Sequence, residues 1–338
     1  MRLVLIFLAV LTIFGSLNKD FKRKFSLESD LGITFLHAQN IKNLSNPYKN
    51  MPADLKAREK YPPYFPLSYI SIVVIQKLTG TENFEDFVKV WYLVCKFNNL
   101  VAAILIALLF YKGFFRQGQD RLTLLSISVL VGFGFVYQPL VFKKSFEQLD
   151  AIAFSLMLTS LLLLVTGKLF LSSLFLALSI CFKQSFLLVL PSLLMHSGKI
   201  LPAKKVFKYF SFLFIFTFVI FLPFLLTGFW ETIDCTIFFH ITRENFRQFL
   251  GYPVPYPVLL FPSLKLSVLL YLTSLVYVGF THSSAPVSFC LPTLLFFMFH
   301  KYPLEQYLVV VFYGALFGIL WESNLGDGKA RDSNIRQF

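Results

Sequence analysis

The chain has 338 residues, of which 56% are hydrophobic and 14% charged, with a mean hydropathy of +0.67 and 43 Phe. Soluble domains carry about 25% charge and about 45–50% apolar residues, so a soluble fold is excluded and an integral membrane protein is expected. The net charge of +13 is not a nucleic-acid signature here. The basic residues cluster at the ends of apolar runs, where they orient membrane helices and meet anionic headgroups.

In chain order, Leu3–Leu17 follows Arg2 as a short first apolar run with no small-residue cleavage site after it, which reads as a retained anchor. Residues 18–63 form a long polar loop with nine basic and five acidic residues. Within it, Asp30–Leu44 is predicted as an amphipathic helix at the membrane surface, with Leu31, Ile33, Phe35, Leu36 and Ile41 on its apolar face. Further uncharged or nearly uncharged runs follow at Tyr64–Gln76, Trp91–Tyr111, Leu122–Phe142, Ala151–Gly167, Leu169–Phe182, Gln184–Gly198, Tyr209–Trp230, Pro257–Phe280, Pro286–Phe299 and Gln306–Trp321. They lack the alternation of a barrel strand, and a helix is the other structure that satisfies its backbone in lipid. The expected fold is an all-α polytopic bundle of 10 or 11 transmembrane helices over residues 1–321, with a second polar loop at 231–256 and a disordered polar tail at 322–338. Lys183 divides residues 169–198, which read either as one broken helix or as two. Taken as one, Arg2, Lys77, Lys89, Lys143, Lys144, Lys199, Lys204, Lys205, Lys208, Lys329, Arg331 and Arg336 share one side. The positive-inside rule then puts both termini in the cytoplasm and both long loops outside.

Few polar residues interrupt the pattern, and those that do are the candidates for chemistry. Glu28 and Asp30 begin the predicted surface helix, where a carboxylate is favoured by the helix dipole, and capping alone would account for them. Asp150 starts an apolar run and can be read as a helix cap. Lys183 lies between two apolar runs, a costly place for a charge unless it reaches water or a partner; phosphate contact and snorkelling both fit. Arg243 and Arg247, four residues apart, suit phosphate or headgroups. His300, Lys301, Glu305 and Gln306 form a late polar cluster. No His, Cys, Asp or Glu set has ligand spacing, so no metal site or cofactor is expected; a divalent cation is compatible with the sequence but not indicated by it.

The order of these segments resembles the GT-C superfamily of membrane glycosyltransferases that use polyprenyl- or dolichyl-phosphate sugars, mannosyltransferase-like members above all. The resemblance rests on an acidic pair soon after the first run (Glu28, Asp30), Asn46-Pro47-Tyr48, Tyr61-Pro62-Pro63 opening the second run, Gln148-Leu149-Asp150 at a helix start, Lys183-Gln184 where the family often has Lys-Pro, and His300-Lys301-Tyr302-Pro303 before the last run. It implies a transferase that moves a hexose, mannose or glucose, from a polyprenyl-phosphate donor to a lipid-linked or glycan acceptor on the non-cytoplasmic face of the cell membrane or the endoplasmic reticulum. Asp30 would be the catalytic base with Glu28 as its partner. Lys183, Lys301, His300, Arg243 and Arg247 would hold the donor phosphate. Tyr61, Asp150, Gln148, Glu305 and Gln306 would position substrate. A lipid-linked saccharide transporter or polymerase-type protein, or a non-catalytic family member, remains the alternative.

Overall fold

The computed structural model describes residues 2–19, 25–27, 29–49, 64–115, 119–147, 149–238, 264–281, 283–299 and 304–325. Among these the structure is helical and contains no strand. The helices are α1 (Arg2–Leu17), α2 (Asp30–Lys42), α3 (Pro66–Thr79), α4 (Phe84–Phe114), α5 (Arg121–Val136), α6 (Pro139–Glu147), α7 (Asp150–Val165), α8 (Leu169–Phe182), a 3-10 turn (Gln184–Val189), α9 (Leu190–Ile200), α10 (Ala203–Thr227), α11 (Phe229–Ile233), α12 (Leu264–Phe280), α13 (Ala285–Phe299) and α14 (Leu304–Leu325).

Phe84–Phe114, Ala203–Thr227 and Leu308–Leu325 are long and apolar enough to cross a membrane, and α5 with α6 makes a fourth such stretch bent by 57°. The bend falls at Tyr137-Gln138, ahead of Pro139, whose ring disfavours helical geometry in the preceding residue and lacks the N–H that would continue the ladder. Apolar helices of 10–17 residues cover Arg2–Leu17, Pro66–Thr79, Asp150–Val165, Leu169–Phe182, Leu266–Phe280 and Ala285–Phe297. Phe207, Phe214, Ile215, Phe218, Val219 and Leu226 of α10 are exposed, while its Tyr209, Leu213 and Phe224 are buried. A helix this apolar with so little of it covered by protein is one whose solvent is lipid, and the protein is membrane-embedded.

Contacts between helix ends sort the bundle into two ends. Arg2 Nε lies 3.5 Å from Asp120 Oδ2, so α1 and α5 start together; this is the basal end. The Asp120 carboxylate accepts from the Thr123 hydroxyl and the Leu122 N–H, and these bonds, the hydroxyl first, with Arg2 nearby hold its pKa below the usual carboxylate value. At the other, loop end, Lys19 donates to Tyr137 O and lies 4.7 Å from the Phe142 ring centre. Asn324 Nδ2 donates to Leu109 O at 2.9 Å, bringing the C-terminal ends of α14 and α4 together at the basal end. Gly167, at φ 77°, turns α7 into α8 there, in the left-handed conformation that glycine adopts without steric cost. The His196 ring stacks on Phe289 at 5.7 Å and Ser192 donates to Ser288 O, so α9 ends where α13 begins.

Several expectations change. Of the two readings of residues 169–198 the structure takes the second: α8 and α9 are antiparallel helices, and their tip at Lys183–Val189 lies at the loop end, so the orientation count made for one helix changes. The Tyr64–Gln76 run, α3, does not extend from end to end. Ser68 Oγ donates to Phe182 O at the tip, and the Gly80 cap passes the chain straight to the first turn of α4. Both changes regroup the lysines: Lys77 and Lys89 belong to the loop end, and Lys112, Arg121 and Lys168 join Arg2 at the basal end. The helix expected over Asp30–Leu44 stops at Lys42, and Leu44 takes a φ of 58°. Its buried side is Leu31, Thr34, Phe35 and Ala38, with Leu36 exposed. This is not the apolar stripe read from the sequence, because α2 packs on α3 and against Phe84 and Phe87 of α4 rather than presenting a face of its own. The polar tail is helical as far as Leu325, where Asn324 finds the Leu109 carbonyl and Glu322 accepts from Ala285 N; residues 326–338 lie outside the described residues.

Packing between α13 and α14 is close. Built Cβ atoms on Gly314 and Gly318 would lie 3.0 Å from Phe289 O and 2.6 Å from Pro286 Cα. Two glycines four residues apart let helix backbones approach in lipid. Gly318→Val is expected to destabilise the protein by about 1–3 kcal/mol through overpacking against backbone that cannot yield, read as a lowered thermal midpoint in detergent. Gly134→Ala, whose Cβ would meet nothing within 4 Å, is expected to leave the midpoint unchanged.

Candidate functional site

The loop end gathers the buried charges of the described structure. α7 starts there with Asp150 and α8 stops there at Lys183, which takes an extended conformation (φ −147°, ψ 119°) between α8 and the 3-10 turn. Lys183 Nζ lies 3.5 Å from Asp150 Oδ2, and their side chains are only 10% and 5% exposed. Ser185 Oγ donates to Asp150 Oδ1 at 3.1 Å. The Lys183 ammonium also sits 4.4 Å from the centre of the Tyr64 ring, near enough for a cation–π contact. Asp150 is therefore the acceptor of a buried ion pair and not the cap of α7, whose N-cap, Leu149, makes no side-chain bond. Lys183 is held inward and does not snorkel. Tyr313 of α14 stacks on Phe154 at 4.0 Å, one turn along α7 from Asp150, and forms an aromatic wall below the pair.

The first loop closes over this cluster. Tyr48 OH donates to Tyr64 O at 2.8 Å, which fixes the backbone of the residue beneath Lys183. Burial pushes the Tyr48 phenol well above its ordinary pKa, so it stays a neutral donor. Asn46 is buried and donates through Nδ2 to Phe224 O at 2.9 Å and to Thr227 Oγ1 at 3.1 Å, while its Oδ1 accepts from Tyr48 N. Phe224 O also accepts from Gly228 N and from the Thr232 hydroxyl. The Asn-Pro-Tyr segment thus clasps the end of α10 to the start of α11, and Glu231 Oε2 and Asn46 Nδ2 both lie within 3.1 Å of where a Gly228 Cβ would be. The 231–256 loop accordingly begins as helix.

The segment ahead of α2 is tied to α4, and through it to α6, by ring contacts. Ser29 caps α2, its Oγ accepting from Gly32 N at 3.2 Å, and Asp30 is the first helical residue. Phe25, just before it, meets Tyr92 at 5.8 Å; Tyr92 meets Phe146 at 5.4 Å; and Phe146 lies one turn before Asp150. α6 is fixed there by Trp91 Nε1 donating to Phe146 O and by Asn99 donating to Ser145 Oγ at 2.8 Å.

The structure thus brings together Lys183 and Asp150; the Asp30 side chain lies outside the described residues. Glu28, Tyr61, Gln148, Arg243, Arg247, His300 and Lys301 lie outside the described residues, as do the side chains of Glu305 and Gln306 in the first turn of α14. Among the described residues no three His, Cys, Asp or Glu side chains converge as metal ligands. Ser185 and Tyr313 escape the sequence reading. A hydroxyl two residues past Lys183, at a break between apolar runs, is a local signal for the first, whereas only packing reveals Tyr313. No family model, curated protein or solved structure matches the chain.

Removing one member of a buried ion pair leaves the other charge without its partner and costs about 3–5 kcal/mol, whereas replacing both by apolar groups is close to neutral. Asp150→Leu and Lys183→Met are each expected to lower the thermal midpoint strongly, and the double variant to recover most of the loss. Additive losses in that double-mutant cycle would show that the two side chains are not coupled.

Proposed function

We propose that the protein is a glycosyltransferase of the GT-C type, crossing its membrane ten times and acting at the loop end. The crossings are α1, α4, α5 with α6, α7, α8, α9, α10, α12, α13 and α14. The basal end, with Lys168, Lys199, Lys204, Lys205 and Lys208 at or beside helix ends, would face the cytoplasm. The observation that carries the reading is the buried Lys183–Asp150 pair beneath the clasped first loop. A buried lysine in an apolar bundle has a function by default, and a cation at the root of an acid-bearing loop is what transfer from a lipid phosphate requires.

In this reading the donor is a polyprenyl-phosphate hexose. The acceptor hydroxyl attacks the anomeric carbon as the bond from that carbon to the phosphate oxygen breaks. Asp30 takes the hydroxyl proton, and Glu28 orients the acceptor. The departing lipid phosphate keeps the bonding electron pair, and Lys183 stabilises its charge. An ammonium has three donor protons, so Asp150, itself held by the Ser185 hydroxyl, can keep the lysine in place while it still meets a phosphate. Lys301, His300, Arg243 and Arg247 are the proposed remaining phosphate contacts. Tyr61, Gln148, Glu305 and Gln306 are the proposed substrate contacts.

The deciding experiment measures sugar transfer from polyprenyl-phosphate mannose and polyprenyl-phosphate glucose by purified protein in liposomes. Asp30→Asn keeps the shape but cannot accept the proton, and is expected to lower transfer at least about a hundredfold with expression and donor binding retained. Near wild-type transfer by both Asp30→Asn and Glu28→Gln would remove the first loop from the chemistry. The charge-neutral pair Lys183→Met/Asp150→Asn, which avoids an unpaired buried carboxylate, is expected to weaken donor binding about tenfold to a hundredfold through loss of a charge-assisted contact.

A further inference from the structure

The basal end carries a second charged feature, which the proposed transfer does not use. Residues 151–230 contain six lysines and no Asp or Glu. One of the six is Lys183; the others, Lys168, Lys199, Lys204, Lys205 and Lys208, all belong to the basal end.

Helix packing assembles them. Ser172, in the first turn of α8, and Tyr209, in the second turn of α10, meet through their hydroxyls at 3.4 Å, and both bond Ser160 of α7. Phe170 of α8 packs edge-on against Phe212 and Phe216 of α10, each at 5.2 Å. α8 and α10 therefore run side by side in the same direction and start together. Lys168 is the N-cap residue of α8, and Lys204, Lys205 and Lys208 occupy the first turns of α10. Two parallel helix starts direct their unpaired N–H groups and positive dipole ends the same way. Lys168, Lys199, Lys204 and Lys208 are exposed. Directly beyond them, on the side of α10 that meets α8, lie exposed apolar side chains, with Phe170 at 51%, Ile215 at 51% and Val219 at 56%.

We infer that the paired starts of α8 and α10 form a docking surface for an anionic phospholipid, with Lys168, Lys204 and Lys208 on its headgroup and Phe170, Ile215 and Val219 against its acyl chains. The charge selects an anion, since no carboxylate in residues 151–230 competes for these lysines at this end. The adjoining apolar side chains select a lipid over a free phosphate, because a soluble anion gains nothing from them. Lysine clusters at the rim of a membrane helix favour anionic headgroups, and each contributes about 1 kcal/mol near a charged surface, or about fivefold in affinity.

The test uses the full-length protein in mild detergent. It is titrated with dioleoyl phosphatidylglycerol or dioleoyl phosphatidylcholine, and retained lipid is counted by native mass spectrometry. Phosphatidylglycerol is expected to be retained and phosphatidylcholine lost. Lys204→Gln/Lys208→Gln is expected to weaken phosphatidylglycerol binding about 25-fold, from about fivefold per lysine. Lys77→Gln/Lys89→Gln, at the opposite end, is expected to leave it unchanged. Lys204→Arg/Lys208→Arg keeps the charge and should keep the lipid, which separates loss of binding from loss of fold. Equal retention of the two lipids, wild-type binding by the Gln pair, or displacement of the lipid by millimolar inorganic phosphate would overturn the inference.

Discussion

A lysine and an aspartate buried together at the tip of a helical hairpin organise one end of this molecule. Lys183 and Asp150 lie 3.5 Å apart in surroundings supplied mainly by Phe, Tyr and aliphatic side chains. Either charge alone there would be costly. Their pairing sets where α7 can start and where α8 must stop. Because Lys183 has to turn inward to reach Asp150, its backbone leaves the helix, and the chain reverses through a 3-10 turn instead of continuing as one long helix.

Other elements at the loop end are arranged around that reversal. α3 begins against the carbonyl of Phe182, through Ser68. Tyr64 lies under the ammonium and is held from above by Tyr48. Asn46 ties the same loop to the end of α10, where four donors share the Phe224 carbonyl. The first loop is thus joined to the bundle by hydrogen bonds to helix ends as well as by aromatic packing of Phe35 and Tyr48.

The basal end is held differently. There the Ser160, Ser172 and Tyr209 hydroxyls join three helices, Asn324 meets the Leu109 carbonyl, and glycines bring α13 and α14 backbone to backbone. In lipid, helix association comes from close packing and interhelical hydrogen bonds rather than from the hydrophobic effect. Small and hydroxyl-bearing residues accordingly hold this end, and its lysines are left on the outer rim.

Composition and run length by themselves determined that this is a helical membrane protein, because a bilayer is the only solvent that accepts so much uncovered Phe and Leu and because a spanning backbone must satisfy itself. They also located most of the helices, since each apolar run is delimited by a charge, a glycine or a proline that acts locally. Lys183 stood out for the same reason, as a charge with no local justification. Its partner was not legible: Asp150 lies 33 residues earlier by the numbering, and whether it caps a helix or accepts an ion pair depends on where α8 ends. Nor did the apolar pattern reveal that α3 stops short of the basal end or that α8 and α9 reverse, because a short apolar run reads the same whether it crosses a bilayer or packs beside a tip. The buried face of α2 was misread for a related reason, since Thr34 and Ala38 are buried by what α3 and α4 place against them. Tertiary structure decided these points because they rest on contacts between residues distant in sequence, and no local period encodes such contacts.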